Sequence, residues 1–417
     1  MEKSYYGKGK VAVLRTTPET VLEDYARLME LAGFREALPR DKETILKINI
    51  SWQTWYPACS TAPWQLEGVI RALQAAGYKN LIAAHNNTVV VDAYAGERNN
   101  KHKYVVEKYG LRNVHLYEPQ YKWVRYEPKQ PFLVLDQVYP EGVYIPEILI
   151  GRNIIQLPTV KTHVFTTITG AMKNAFGGLL GTRRHWTHSV IHETLVDLLM
   201  IQQDIHPGLF AVMDGTFAGD GPGPRAMHWH EKDIILASAD QVAIDAISAH
   251  LQGFAPLSLP FIRIAHEMGL GVGDPRQIEI VGEDPEWVLS QNWGFVQEDT
   301  FASRGQKMIY HGPLKPFEKL LLRTPLVPWS YFASNFYHNV YWYPFVGRKR
   351  VQAALETKWG RLFSEYGSEA GLGGAVMPGM EPRTVITATV GLGIVTAVAG
   401  LGMLMLVNRC RKRRKEG

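Results

Sequence analysis

Thiols, net charge in the body and export signals are what this 417-residue chain has little of. Its two cysteines, Cys59 and Cys410, are too few for a disulfide framework, a four-cysteine zinc site or a self-contained iron–sulfur cluster. The 45 Lys+Arg outnumber the 40 Asp+Glu, yet the last nine residues, RCRKRRKEG, hold six of those cations and one acid. The remainder is balanced and has no basic run to neutralise phosphates, so no nucleic acid partner is expected. The opening MEKSYYGKGKVAVLRT lacks an apolar core and a small-residue cleavage site, so the body is expected to face the cytoplasm.

Long apolar runs are also scarce, with one exception. Val385 to Val407 carries no charge, long enough to cross roughly 30 Å of hydrocarbon as a helix. A single-pass transmembrane helix over 384–408 is therefore expected, after a Gly/Pro-rich linker at 368–383 and before a basic tail at 409–417. Thr389, Gly393 and Ala397 form a small-residue stripe that suits a partner helix or a homo-oligomer. The tail cations favour a cytoplasmic C-terminus, in conflict with a cytoplasmic body on a single crossing. A second aromatic-rich stretch, Thr324–Gly347, sits in an extension spanning 286–367. It reads either as a segment lying in the plane of membrane lipid, with Arg348 to Arg350 near anionic headgroups, or as a flap packed on the body.

In the body, strand-like runs alternate with helical patterns, the signature of α/β layers with mostly parallel sheets. Two such units are expected, at 1–150 and 151–285. Strands are predicted at Lys10–Arg15, Thr44–Ile50, Asn80–Ala84, Phe132–Val138 and Asn153–Leu157, among others, and Asp240 is expected to cap a helix over Gln241–Leu251. Ligands of open α/β sheets bind beyond strand carboxyl ends, so His85, the Lys161-Thr162-His163 triplet and Asp214 are candidates. The glycine-rich stretch 157–181 adds Lys173, Asn174, Gly177 and Gly178, a setting whose backbone N–H groups can receive an anion. A lysine desolvated there can serve as nucleophile or base. His185, His188 and His192 would share one helix face and suit a divalent metal. The segment from Asp214 to His230 reads as a loop, too rich in Gly and Pro for helix or strand.

Five motifs in order, KINI (47–50), CSTAP (59–63), LPTVKTHVFTTITGAMKNAFGG (157–178), VMDGTFAGDGPGP (212–224) and LASADQVAIDAISAHLQG (236–253), resemble the domain-of-unknown-function family numbered 362. That family label brings no reaction with it. Many members carry a ferredoxin-like cysteine-rich extension, which this chain lacks. More distantly, the order His85, His163, Lys173, then His185 or His188, is similar to nickel-pincer lactate racemase, although Gly170-Ala171-Met172-Lys173 stands where the racemase has Gly-Gly-Arg-Lys. The resemblance implies a nickel-pincer-type nucleotide held by the lysine. The expected function is a membrane-anchored enzyme acting on a small anionic or lipid-soluble substrate. His85, His163, Lys173 and Asp214 would do the chemistry, and Lys47, Asn49, Lys161, Asn174, Gly177 and Gly178 would hold the anion. The rival reading is a non-catalytic subunit of a membrane complex, docked through the C-terminal helix.

Overall fold

The computed structural model describes residues 5–87, 91–313, 315–317 and 335–367. The expected transmembrane helix 384–408, its linker 368–383, the tail 409–417 and residues 324–334 lie outside the described residues. Among the described residues no helix is long and apolar enough to cross a membrane.

Twelve strands are described: β1 (Lys10–Arg15), β2 (Thr44–Ile48), β3 (Leu81–His85), β4 (Arg112–His115), β5 (Trp123–Arg125), β6 (Tyr144–Pro146), β7 (Asn153–Leu157), β8 (Thr159–His163), β9 (Thr167–Ile168), β10 (Leu209–Asp220), β11 (His228–Ser238) and β12 (Glu279–Gly282). Ten of them form one sheet in the order β12-β1-β11-β10-β7-β2-β3-β4, with β8 branching from β10 and β9 from β8, while β5 and β6 pair alone. The sheet is mixed but mostly parallel: β11 runs against β1 and β10, and β8 against β9. It does not respect the expected boundary at 150/151. β2 pairs with β7, and β1 pairs with β11 and β12, so strands from both proposed units share one sheet. The reason is visible in β2 itself, where all five residues are buried and both edges need a neighbour.

Burial on both faces explains the near-continuous apolar strands. Val11, Val13, Ile45, Ile82 and Val114 join one core, with helices Ile191–Ile205 and Gln241–Gln252. Their neighbours Ala12, Leu14, Leu46, Ile48 and Ala83 join the other, with helices Val21–Leu31 and Pro63–Ala75. This is the period-two alternation of a pleated strand.

Two expected elements differ. The predicted strand Phe132–Val138 is instead a short helical turn at Leu135–Val138, because the Asp197 carboxylate collects the N–H groups of Leu133, Val134 and Leu135 at 2.7, 3.0 and 3.0 Å. The expected loop from Asp214 to His230 is largely strand, as β10 continues to Asp220 and β11 resumes at His228. Its glycines permit close packing: a Cβ on Gly215 would lie 2.8 Å from Ile234, and one on Gly219 2.7 Å from Met227. Asp240 caps the helix as expected, accepting from Val242 and Ala243 at 2.9 and 3.0 Å.

One contact fixes the backbone that carries Lys173. Asp245, buried on helix Gln241–Gln252, accepts the N–H groups of Ala171 and Met172 at 2.6 and 3.1 Å. Gly170 leaves room for that carboxylate, since a Cβ there would come 2.1 Å from Asp245 Oδ1. Gly170→Ala is accordingly expected to cost about 1–3 kcal/mol, the usual range for overpacking a buried site. A shift of the urea midpoint with unchanged slope measures it, and wild-type stability would show that the carboxylate can move aside freely.

Candidate functional site

A cavity of about 310 Å³ opens beside the carboxyl ends of β2 and β8. Its wall includes Lys47, Asn49, His163, Lys173, Asn174, Gly177, His185 and His188, eight of the residues singled out from sequence. Arg184 and Arg225 line it too, and among the described residues no Asp or Glu does.

Lys47 reaches the cavity because alternation along β2 turns it to the face of Ile45. Its stem lies flat against Gly178, where a Cβ would approach Cε to 3.0 Å, and Nζ donates to the Ile48 carbonyl at 2.8 Å. Burial, reinforced by the Arg184 charge, lowers its pKa to about 7. Asn174 steadies that strand by donating to the Lys47 carbonyl and to Gln156 Oε1, at 2.9 and 2.8 Å. Lys173 also falls to about 7, through burial first and then the charges of Lys161 and Arg184. Its Nζ lies over the Phe176 ring, 5.4 Å from the centroid. Asn49 is set by Thr61, whose Oγ1 accepts its N–H at 2.9 Å, and by Ser51, which donates to its Oδ1 at 3.0 Å.

Two of the cavity imidazoles, His163 and His188, hold complementary tautomers. His163 Nδ1 accepts the Phe165 N–H at 3.1 Å, so the neutral ring carries its proton on Nε2. His188 Nδ1 sits 2.9 Å from the His185 carbonyl, which can only accept, so that ring keeps its proton on Nδ1 and a lone pair on Nε2. Burial holds both rings neutral. The His163 pKa lies well below the ordinary value and that of His188 near 4, with Lys173 lowering each further.

Four other predicted residues lie elsewhere. His85 shares the face of Ala83, opposite to Lys47, and meets Glu97 and His115 there. Lys161 is fully buried, its Nζ spent on the Cys59 carbonyl at 2.6 Å and Thr159 Oγ1 at 2.8 Å. Its charge still acts on His163 and Lys173 through the protein. Asp214 belongs to the core, where it accepts from Tyr25 at 2.6 Å, Trp64 at 3.0 Å and Thr216 at 2.8 Å. The expected triple of His185, His188 and His192 is not assembled. Thr182–Val190 is a 3₁₀ turn, with three residues per turn, so His185 and His188 align, whereas His192 starts the next helix and stacks on Phe261. Among the described residues, the group of ligand-type side chains close enough to share an ion is His85, Glu97 and His115.

Sequence reasoning missed Arg184, Arg225 and the wall from Thr300, Ser303, Gln306 and His338. Arg225 Nε donates to the Ser51 carbonyl at 2.9 Å, and Arg184 Nη1 to that of Gly181 at 3.1 Å. Arg184 stood in view as a cation beside the glycine-rich stretch. The later wall residues, beyond Glu283 where periodicity fades, gave no signal.

The racemase-like set is thus incomplete. His163, Lys173, His185 and His188 share the cavity, but His85 does not, and two of the three residues before Lys173, Ala171 and Met172, differ, so the residues present do not fit a pincer cofactor.

Comparison with known proteins agrees with the motifs. The family model "Domain of unknown function (DUF362)" matches residues 44–250, just under half of the chain. The thylakoid-associated protein sll1697 of Synechocystis sp. is 25% identical over 182 residues, which is 42% of this chain and 54% of that protein. The chain therefore spans about half the length of that curated relative. No solved structure matches.

The cavity lysines dictate a pH response. Both are charged below about pH 7 and lose that charge as pH rises through it. Sulfate keeps its charge over this range, so its affinity should fall about tenfold or more between pH 6 and pH 8, the loss of one charge-assisted hydrogen bond or more. Calorimetric titration at the two pH values reads this, and Lys173→Met should weaken binding and flatten the slope. A flat profile in the wild type would mean that these ammonium groups do not hold the ion.

Proposed function

We propose that this DUF362-domain protein is a membrane-anchored enzyme that holds a small anionic substrate on Lys47 and Lys173 and moves a proton between that substrate and His163 or His188. The observation that carries the reading is the cavity wall: cations and two neutral imidazoles of opposite tautomer, with no carboxylate among the described residues to compete for the site. Burying ammonium groups without a counter-charge is costly, and an anion removes the cost. Its arrival also raises the basicity of both imidazoles, since a negative charge beside a ring favours the protonated form. His188 Nε2, with its lone pair, then accepts a proton, and His163 Nε2–H donates one. The guanidinium groups of Arg184 and Arg225 add to the positive field, and Lys161 adds to it from behind the wall.

Exchange with solvent tests the class of reaction without knowledge of the product. A panel of small 2-hydroxy and 2-keto acids and phosphorylated analogues is incubated with the full chain in D₂O, and deuterium incorporation is followed by NMR. Incorporation into one compound is expected. His188→Asn should slow it by about 10²-fold or more, the usual contribution of a positioned acid or base. Failure of every panel member to bind or exchange would sink the enzymatic reading.

Membrane attachment is part of the same proposal. It is supported by the apolar run at 385–407 and by the name of the relative, a thylakoid-associated protein. The described part of the aromatic stretch adds a two-sided segment, Phe336–Gly347. Trp342 packs inward on Tyr56 with ring centroids 5.4 Å apart, whereas Tyr341 and Phe345 are 56% and 69% exposed. The rings of Tyr341 and Phe345 lie 6.1 Å apart, and this outer pair favours a lipid surface or, in the accessory-subunit reading, a protein partner. A chain ending at Glu381 is expected to stay partly bound to anionic vesicles at low salt and to leave them as salt screens Arg348 to Arg350. Complete release at low salt would assign all attachment to the C-terminal segment.

A further inference from the structure

We infer that His85, Glu97 and His115 form a divalent transition-metal site, separate from the anion cavity. β3 and β4 run parallel and in register, with His85 opposite His115 at their carboxyl ends. Alternation sends both side chains to one face of the sheet, where the helix Ala93–Asn99 lays Glu97 across them. The three side chains are 1%, 4% and 6% exposed for His85, Glu97 and His115, and one ligand atom from each lies within 4.8 Å of the others.

The hydrogen bonding of this cluster is incomplete in the way that an absent cation explains. His115 Nε2 stands 3.0 Å from Glu97 Oε1, and His85 Nε2 is closer still. Neither nitrogen makes a hydrogen bond of acceptable geometry, and His85 Nδ1 has no partner either. Buried polar atoms are nearly always satisfied, so two nitrogens at ion-pair distance from one carboxylate oxygen but without hydrogen-bond geometry to it require an explanation. An ion between them supplies it, taking a lone pair from each imidazole and from the carboxylate. Two histidines and one carboxylate are a donor set of borderline softness that suits Zn²⁺ and its neighbours and is too nitrogen-rich for Mg²⁺ or Ca²⁺.

The surroundings fit a metal site as well. Asn113 Nδ2 donates to Glu97 Oε1 at 2.7 Å, orienting the carboxylate from outside the ligand set. Tyr94, 42% exposed, covers His115 with ring centroids 4.3 Å apart, and Tyr117 meets the same ring at 5.8 Å. An ion here would join β3, β4 and the helix Ala93–Asn99 at the edge of the sheet, where β4 has a strand on one side only. The inference does not rest on the proposed function, because the cluster lies on the opposite sheet face from Lys47.

The test is a Zn²⁺ titration of the EDTA-treated full chain against a competing chromophoric chelator. One ion per chain is expected, with a rise in melting temperature on loading. Glu97→Gln and His115→Gln should each weaken binding by more than about 100-fold, and Asn113→Ala, which keeps all three ligands, by about 10-fold. His188→Asn should bind as the wild type does. Absence of stoichiometric Zn²⁺, wild-type affinity in Glu97→Gln, or loss of binding in His188→Asn would each overturn the site. If Glu97→Gln fails to fold, Asn113→Ala decides, and unchanged affinity there overturns it equally. Sulfate binding persisting without zinc binding would remove the metal site and leave the anion cavity in place.

Discussion

A strand buried on both faces has no solvent side, so every polar group along it must be answered from within the protein. That constraint organises this molecule. In β2 the pleat sends Ile45 and Lys47 one way and Leu46 and Ile48 the other, and the ammonium group has to find the cavity or nothing. In β3 the same rule sends Ala84 towards the cavity side and His85 away from it. One residue of offset at the end of neighbouring strands thus separates two polar centres that a linear reading merges.

The cavity shows what happens when cations are collected without carboxylates. Burial first, and then each neighbouring charge, makes a further charge harder to keep, which is why Lys47 and Lys173 have pKa values lowered to about 7 and the imidazoles stay unprotonated. The protein meets this partly with carbonyl oxygens: Ile48 for Lys47, Cys59 for Lys161, Gly181 for Arg184 and Ser51 for Arg225. Carbonyls offset part of the desolvation but carry no net charge. The residual positive potential is stored by the fold, and the capped turn at Ala171 and Met172 fixes where Lys173 presents its share.

Much of the frame was legible in the residues. β1 and β7 fall where the apolar runs place them, and the Asp240 cap follows from residue type and position alone. His163, Lys173 and Asn174 stood out because long or polar side chains next to strand ends and glycines are poor core material, whereas Lys47 and Asn49 came with the KINI motif. What stayed hidden had physical causes. Which face of the sheet His85 serves depends on pairing register and pleat, which a motif does not record. The extension of β10 through Gly215 and Gly219 rests on close packing against Ile234 and Met227, partners distant in sequence. Glu97 and His115 gave no motif because the sheet, not the spacing, brings them to His85. The turn holding His185 and His188 is 3₁₀ where α spacing was assumed, and one altered period is enough to detach His192.

The outer wall of the cavity has a different origin from its floor. Lys47, His163 and Asn49 stand on or beside strands of the sheet, while Thr300, Ser303 and Gln306 come from the helix Phe301–Tyr310 and its cap, and His338 from the segment at Phe336–Gly347. Displacing the floor would break strand pairing, whereas the wall can shift without a strand being lost. A substitution in the floor is therefore felt by the sheet as well as by the cavity, whereas one in the wall reshapes the cavity and leaves the strand ladder as it was.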